Sequence, residues 1–518
     1  MKKRRGQVSR TATLPTPTGG WNARDAYDQM GEADAITLIN LFPQTTSVAL
    51  RGGQVQFATT GSTAPVSTLA QLDSPTAQKI VAATGGAIYD VTSGTGVSLG
   101  SGFVSDVWGT TNFSGPAGTR LLFFNGTDTP QIYDGASLTA STIASAGTAG
   151  APTLNPVNLF CPVMYAERLF VAERGSMHIW YAQTGAYQGT TLNFLDMGAY
   201  ATKGGTIAAI GIWTRINVYG QPIPLFVVVS TEGEVFIFQG IDPSNASDWS
   251  LQGQVAVGPP VSGARCIANL GSEAVLICQD GFQPLSQYLT TGQFAAQETS
   301  LSAKIGNAVL ASVQQNGSQF GWEACLYPVG NRILFNVPQG GGVFQQYVMN
   351  TITKSWCQYT GVNAYTFLRT FGGLLYFGGA NGTVYQAETG TADLGANISF
   401  TYKSKFTYPA EGFNCFYKMV RPVLTSATGI AYALGVDVDF ADTTPTTPAE
   451  TLQIPGGVMI WGVSKWGQAL WGSTPSVQRS WQGVGAIGYS AAVHISGATM
   501  SGFQLHSVDV LYEPGGVL

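Results

Sequence analysis

Few groups in this chain could do chemistry. His178, His494 and His506 are its only histidines, and six cysteines and 29 acids complete the set in 518 residues. No two histidines stand one helical turn apart, the spacing that puts two ring nitrogens on one zinc ion. Cys161, Cys266, Cys278, Cys325, Cys357 and Cys415 form no CxxC pair, so buried free thiols in strands are the plainer reading. One nucleophile-elbow match occurs, Gly96-Val97-Ser98-Leu99-Gly100. That motif needs a helix after the serine, and the flanking TSGTG and SGFVSD cannot start one, so the match reads as a turn. Glycoside hydrolysis needs two carboxyl groups about 5–10 Å apart, and none of the acids stands in a recognisable enzymatic setting. The residues thus assign no catalytic group, metal or cofactor, and a non-enzymatic protein is expected.

Two clusters have both a sharp and a plain reading. Asp437, Asp439 and Asp442 in GVDVDFAD offer the clustered oxygens of a calcium site. Alternation with Val436, Val438 and Phe440 instead suggests a solvated strand face. Trp461, Trp466 and Trp471 each precede a glycine in IWGVSKWGQALWG, and Trp481 follows. Such a row can stack on sugar rings, but tryptophan beside glycine more often packs a loop onto a core or a neighbouring subunit.

The elements that must hold these groups follow from composition. Charged residues are 10% and glycines number 66, against about 25% charged and 7% glycine in ordinary soluble proteins. Many short strands joined by tight turns suit that balance; amphipathic helices, which need charge on their wet face, do not. Net charge is −5, yet Lys2, Lys3, Arg4, Arg5 and Arg10 all lie in the first ten residues. The other 19 basic and 29 acidic residues give −10. A basic arm on an acidic body reads as an electrostatic tether and argues against a body that grips nucleic acid. The opening MKKRRGQVSRTATLPTPTGG has no apolar run of the kind a secretory signal needs, and no stretch of about 18 apolar residues predicts a membrane span. Folding in a reducing cytoplasm is expected.

A loose repeat runs from about 75 to 390: two short apolar segments around a glycine-containing turn. Clear copies are 79–91, 120–135, 225–240 and 374–388, and weaker ones are 168–182, 274–285 and 332–348. Their second segments recur at intervals of 41 to 61 residues. Four-stranded propeller blades repeat at about 40–50 residues and stack because one blade cannot bury both faces. Asn125-Gly126 and Asn381-Gly382 are signals for type I′ turns. The fold expected is all-β: a β-propeller of six or seven blades with a C-terminal antiparallel β-sandwich, the alternative being one large irregular sandwich. The domains are then 1–20, a disordered basic arm; 21–74, a strap with a short helix at 31–43; 75–394, the propeller; and 395–518, the sandwich. A second short helix is expected at 302–317.

The segment 19–53 resembles the N-terminus of the tail hub or nozzle proteins of short-tailed, podovirus-type phages, also called packaged-DNA stabilisation proteins. The shared positions are Gly20, Asn22, Arg24, Asp25, Ala35, Asn40, Phe42-Pro43 and Arg51-Gly52, and the close of the chain, 506–518, is similar too. The resemblance implies a homo-oligomeric ring, typically hexameric, in the virion. Such rings sit below the portal and adaptor proteins, extend the DNA channel, retain packaged DNA and carry fibre, spike or needle proteins. DNA passes without sequence-specific binding. Trp461, Trp466 and Trp471 are then interface aromatics, and Lys2, Lys3, Arg4, Arg5 and Arg10 a docking arm. A glycan- or receptor-binding propeller of the virion is the competing expectation.

Overall fold

The computed structural model describes residues 8–75, 78–115, 118–145, 152–189, 191–216, 219–261, 263–291, 300–445, 450–451 and 475–515. Strands make up 53% and helices 6%. Seven antiparallel sheets stand around one axis, six of them with four strands or more. Each of the seven repeat copies lands on the second and third strands of one sheet, such as Gln78–Thr84 with Ala87–Asp90 and Pro222–Ser230 with Glu234–Gln239. We number the sheets as blades 1 to 7 in chain order. Their innermost strands are Thr68–Asp73, Gly109–Gly115, Leu159–Tyr165, Ile207–Ile216, Ile267–Asn269, Glu323–Tyr327 and Thr366–Arg369. Each packs against the next, and the seventh packs against the first.

Blade 7 is completed by Gln54–Thr59, which pairs with Thr383–Ala387. A strand from before the first blade therefore closes the ring, and the propeller begins earlier than residue 75. Among the described residues blade 5 has three strands. Two hydroxyls bond its last one, Gly281–Pro284: Ser302 Oγ accepts from Phe282 N–H at 3.1 Å, and Ser300 Oγ donates to Phe282 C=O at 3.0 Å. The buried edge thus keeps its backbone groups paired. A helix, Gly306–Asn316, packs beside it within the stretch expected to be helical.

The sandwich is not a separate C-terminal body. One sheet orders Ser476–Arg479, Cys415–Ser426, Phe503–Pro514, Val48–Leu50 and Leu41–Pro43, and Arg10–Pro15 pairs with Phe503–Pro514. The other contains Gly20–Trp21, Asp34–Ile39, Ile398–Ser404, Ala491–Thr499 and Ala431–Val438, and is continuous with the outer strand of blade 6, Trp356–Tyr359. One apolar core runs from Val227 through Phe335 to Tyr432 and Leu505.

Three expectations are corrected here. The helix at 31–43 is two strands, Asp34–Ile39 and Leu41–Pro43; pairing with Ile398–Ser404 and blade 6 overrides local preference. The supposed strap, 21–74, is part of this chain's own body: its strands up to Val48–Leu50 lie in the sandwich, while Gln54–Thr59 and Thr68–Asp73 belong to blades 7 and 1. Arg10 belongs to a strand with register Arg10↔Tyr512, not to a disordered arm. Lys2, Lys3, Arg4 and Arg5 lie outside the described residues, as do Trp461, Trp466 and Trp471.

Candidate functional site

Gly20, Asn40, Phe42, Pro43, Arg51 and Gly52 meet in one buried junction between blades 6 and 7 and the sandwich, while Asn22, Arg24 and Asp25 form a separate cluster with Asp34. Asn40 adopts φ 56°, a left-handed conformation that asparagine tolerates better than most residues. Its Oδ1 accepts from Arg51 Nε and from Thr360 N–H, both at 2.9 Å, and its Nδ2 donates to Ser399 C=O at 2.8 Å. Arg51 is 3% exposed. Its Nη1 donates to Gly52 C=O and Asp393 Oδ1, and its Nη2 to Thr360 C=O and Asp393 Oδ2, at 2.6–3.0 Å. All five guanidinium N–H groups are used, the condition for burying a charge at tolerable cost.

Gly52 is held by close approach, because a Cβ there would lie 2.7 Å from Glu388 Cα. Glu388 pairs with Arg332, which lies 4.2 Å over the Phe42 ring. Pro43 C=O accepts from Asn350 Nδ2 at 2.8 Å. Gly20, at φ 81°, would place a Cβ 2.5 Å from Trp356 C=O, so only glycine lets this strand lie beside blade 6. Asn22 Nδ2 reaches Asp25 and Asp34 carboxylates at 2.9 Å each. Arg24 forms an ion pair with Asp25 at 2.8 Å and is the most exposed of these side chains.

A second feature lies on the propeller axis: a cavity of about 700 Å³ at the entry ends of the inner strands, walled by all seven blades. One ion pair crosses it. Arg265, entering blade 5, meets Glu323 of blade 6 at 3.0 Å and donates to Ser67 C=O, just before blade 1, at 2.9 Å. Glu323 also accepts from Thr366 Oγ1 and Phe367 N–H of blade 7. Four blades are braced by one pair. Cys161 lines the same cavity at φ 52°, its Sγ 3.3 Å from Ile210 C=O. Burial pushes its thiol up to about 11 and raises the other five cysteines as well, the opposite of what a thiolate nucleophile requires. No sequence signal marked the cavity, because its walls come from residues 68 to 367.

The other singled-out groups are dispersed. Asp437 is buried, not solvated: Lys403 pairs with it and with Asp442, both at 2.7 Å. The ammonium occupies the place a calcium ion would need. Asp439 instead caps Tyr489 and Ser490 N–H. Among the described residues no group of three His, Cys, Asp or Glu could hold a metal. His178 shares Glu173 with Trp180 Nε1, His494 lies 3.7 Å from Asp437, and His506 bonds Thr425. Ser98 lies in an edge strand, Val97–Ser101, with no helix after it. Among the described residues no helix is long and apolar enough to cross a membrane.

No family model matches the chain, and no curated protein does. Solved structures do align. The computationally designed Ika8 protein is 11% identical, at TM-score 0.37, over 68% of this chain and 96% of its own. BBS1N, in complex with ARL6DN, is 12% identical at TM-score 0.39, over 68% and 100%. YCF48 from Cyanidioschyzon merolae is 12% identical at TM-score 0.35, over 65% and 98%. Likeness at this level carries no functional argument, and the propeller is read from the sheets themselves.

Proposed function

We propose that this chain is a non-enzymatic structural protein of a tailed-phage particle, a hub or nozzle subunit. On this reading it forms a ring below the portal and adaptor, extends the DNA channel, retains packaged DNA and docks fibre, spike or needle proteins. The observation that supports it best is the junction. The stretches that carry the resemblance lie at opposite chain ends, yet Val48–Leu50 and Phe503–Pro514 pair in one sheet. Gly20, Asn40, Phe42, Pro43, Arg51 and Gly52 among the shared positions go into fixing propeller to sandwich rather than into a ligand site. Rigid coupling of two bodies suits a part that transmits load between neighbours. DNA would pass between copies, since Arg265 and Glu323 cross the propeller axis. The acidic body would repel the moving polyanion, and the basic arm would meet an adaptor or a neighbouring copy.

The test is assembly. Purified protein added to portal–adaptor complexes should form a closed ring, hexameric by electron microscopy and sedimentation. Particles lacking this protein should lose packaged DNA; complete tails that retain DNA without it would overturn the reading. The second reading, a glycan- or receptor-binding propeller of the virion, draws on the row Trp461, Trp466 and Trp471, each before a glycine. Saturable binding on a glycan array, lost on Trp466→Ala, would favour it.

A further inference from the structure

We infer that the axial cavity is a binding site for one small organic anion, a carboxylate or phosphomonoester on an apolar or sugar body. This stands apart from the ring reading and can fail without it.

Size comes first. About 700 Å³ falls within the 300–1,000 Å³ of small-molecule sites. Charge comes second. The lining holds three charged side chains, Arg174, Arg265 and Glu323, so it carries +1 in a body that is otherwise acidic. Glu323 is taken by Arg265. Arg174 is exposed, lines the wall and has no ion-pair partner among the described residues. Its place is shaped by blade 2, where a Cβ on Gly126 would lie 3.0 Å from Arg174 Nε. Glycine at this turn leaves room for the guanidinium.

The remaining wall indicates the rest of the ligand. Leu69, Phe124, Phe160 and Ile210 are apolar, while Thr110 and Thr206 bring hydroxyls. Trp108 also lines the cavity and adds aromatic surface to the wall. A carboxylate or phosphate fits the planar fork of an arginine, and an apolar or ring body fits the walls.

The probe is 8-anilinonaphthalene-1-sulfonate, an aromatic anion of suitable size, titrated by fluorescence and calorimetry. One saturable site per chain is expected. Arg174→Gln should weaken it at least tenfold, and Arg174→Lys should restore part of the loss. Ala208→Trp, which fills the cavity from blade 4, should abolish it while circular dichroism and melting temperature confirm the fold. Displacement by N-acetylneuraminate marks a carboxylate site and displacement by glucose 6-phosphate a phosphate site. Equal displacement by neutral glucose overturns the anion assignment. Absence of a saturable site, or binding unchanged in Arg174→Gln or surviving Ala208→Trp, overturns the proposal.

Discussion

Two arginines hold this molecule together at different depths. Arg51 lies 2% exposed at the side chain, facing Asp393 at 16%, and every donor it has is bonded. Arg265 and Glu323 are 22% and 14% exposed and border a cavity. The first pair connects two bodies and keeps its guanidinium from water; the second braces a ring and leaves its guanidinium open to solvent or a ligand. The same ion pair chemistry thus gives a fixed joint in one place and an adjustable one in the other. Burial decides which, because an ion stranded in a dry site costs several kcal/mol, whereas water can take over at a wet one.

The largest expected effect breaks the fixed joint. Asp393→Leu leaves Arg51 buried without its partner and should lower stability by about 3–5 kcal/mol in urea unfolding. Arg51→Met with Asp393→Leu should recover only part of that, since it removes the stranded charge but leaves the Gly52 and Thr360 carbonyls without the guanidinium that donated to them. A single variant losing under about 1 kcal/mol would erase the contrast. Next, Arg265→Gln should lose about 1–2 kcal/mol, because water can replace part of the bonding. Raising salt to about 1 M, where screening acts over roughly 3 Å, should shrink the Arg265 effect and leave that of Asp393→Leu unchanged.

The smallest effect concerns pH and a third site. Burial lowers His494, against the raising influence of its Thr443 contact and Asp437, while Lys403 adds to the lowering and Asp442 opposes it. Its net shift is below the ordinary value of about 6.5. Between the lowered folded value and 6.5 the unfolded chain binds more protons, so stability is present above about pH 6.5 and falls as pH drops. His494→Gln should flatten that slope in melts between about pH 7 and 5; an unchanged slope would exclude the histidine as its source.

What the sequence made legible was local. Asn381-Gly382 forms the expected type I′ turn, with φ 55° and 62° and Thr383 N–H donating to Ala380 C=O. Asn125-Gly126 does not. Only Gly126 has positive φ, and the Asn125 carboxamide Oδ1 accepts from Thr127 and Asp128 N–H, opening a longer loop. Hairpins could be found because both strands and their turn lie within about 16 residues. The junction could not, because Arg51 meets Asp393 across 342 positions. Asp437 misled for the same reason: alternation gave its strand, but its partner Lys403 lies on another. The axial cavity, built from seven distant strand ends, left no mark in any one window.

The closure of blade 7 has a consequence for synthesis. Thr59 pairs with Thr383, so the outer strand of the last blade leaves the ribosome before any other propeller strand. At about 5–20 residues per second it waits roughly 15–65 s for its partner. Through that interval Gln54–Thr59 is an open edge able to pair with the wrong chain. Crowded polysomes should therefore favour swapped dimers, in which one nascent chain closes the ring of another, and slower elongation should increase their yield.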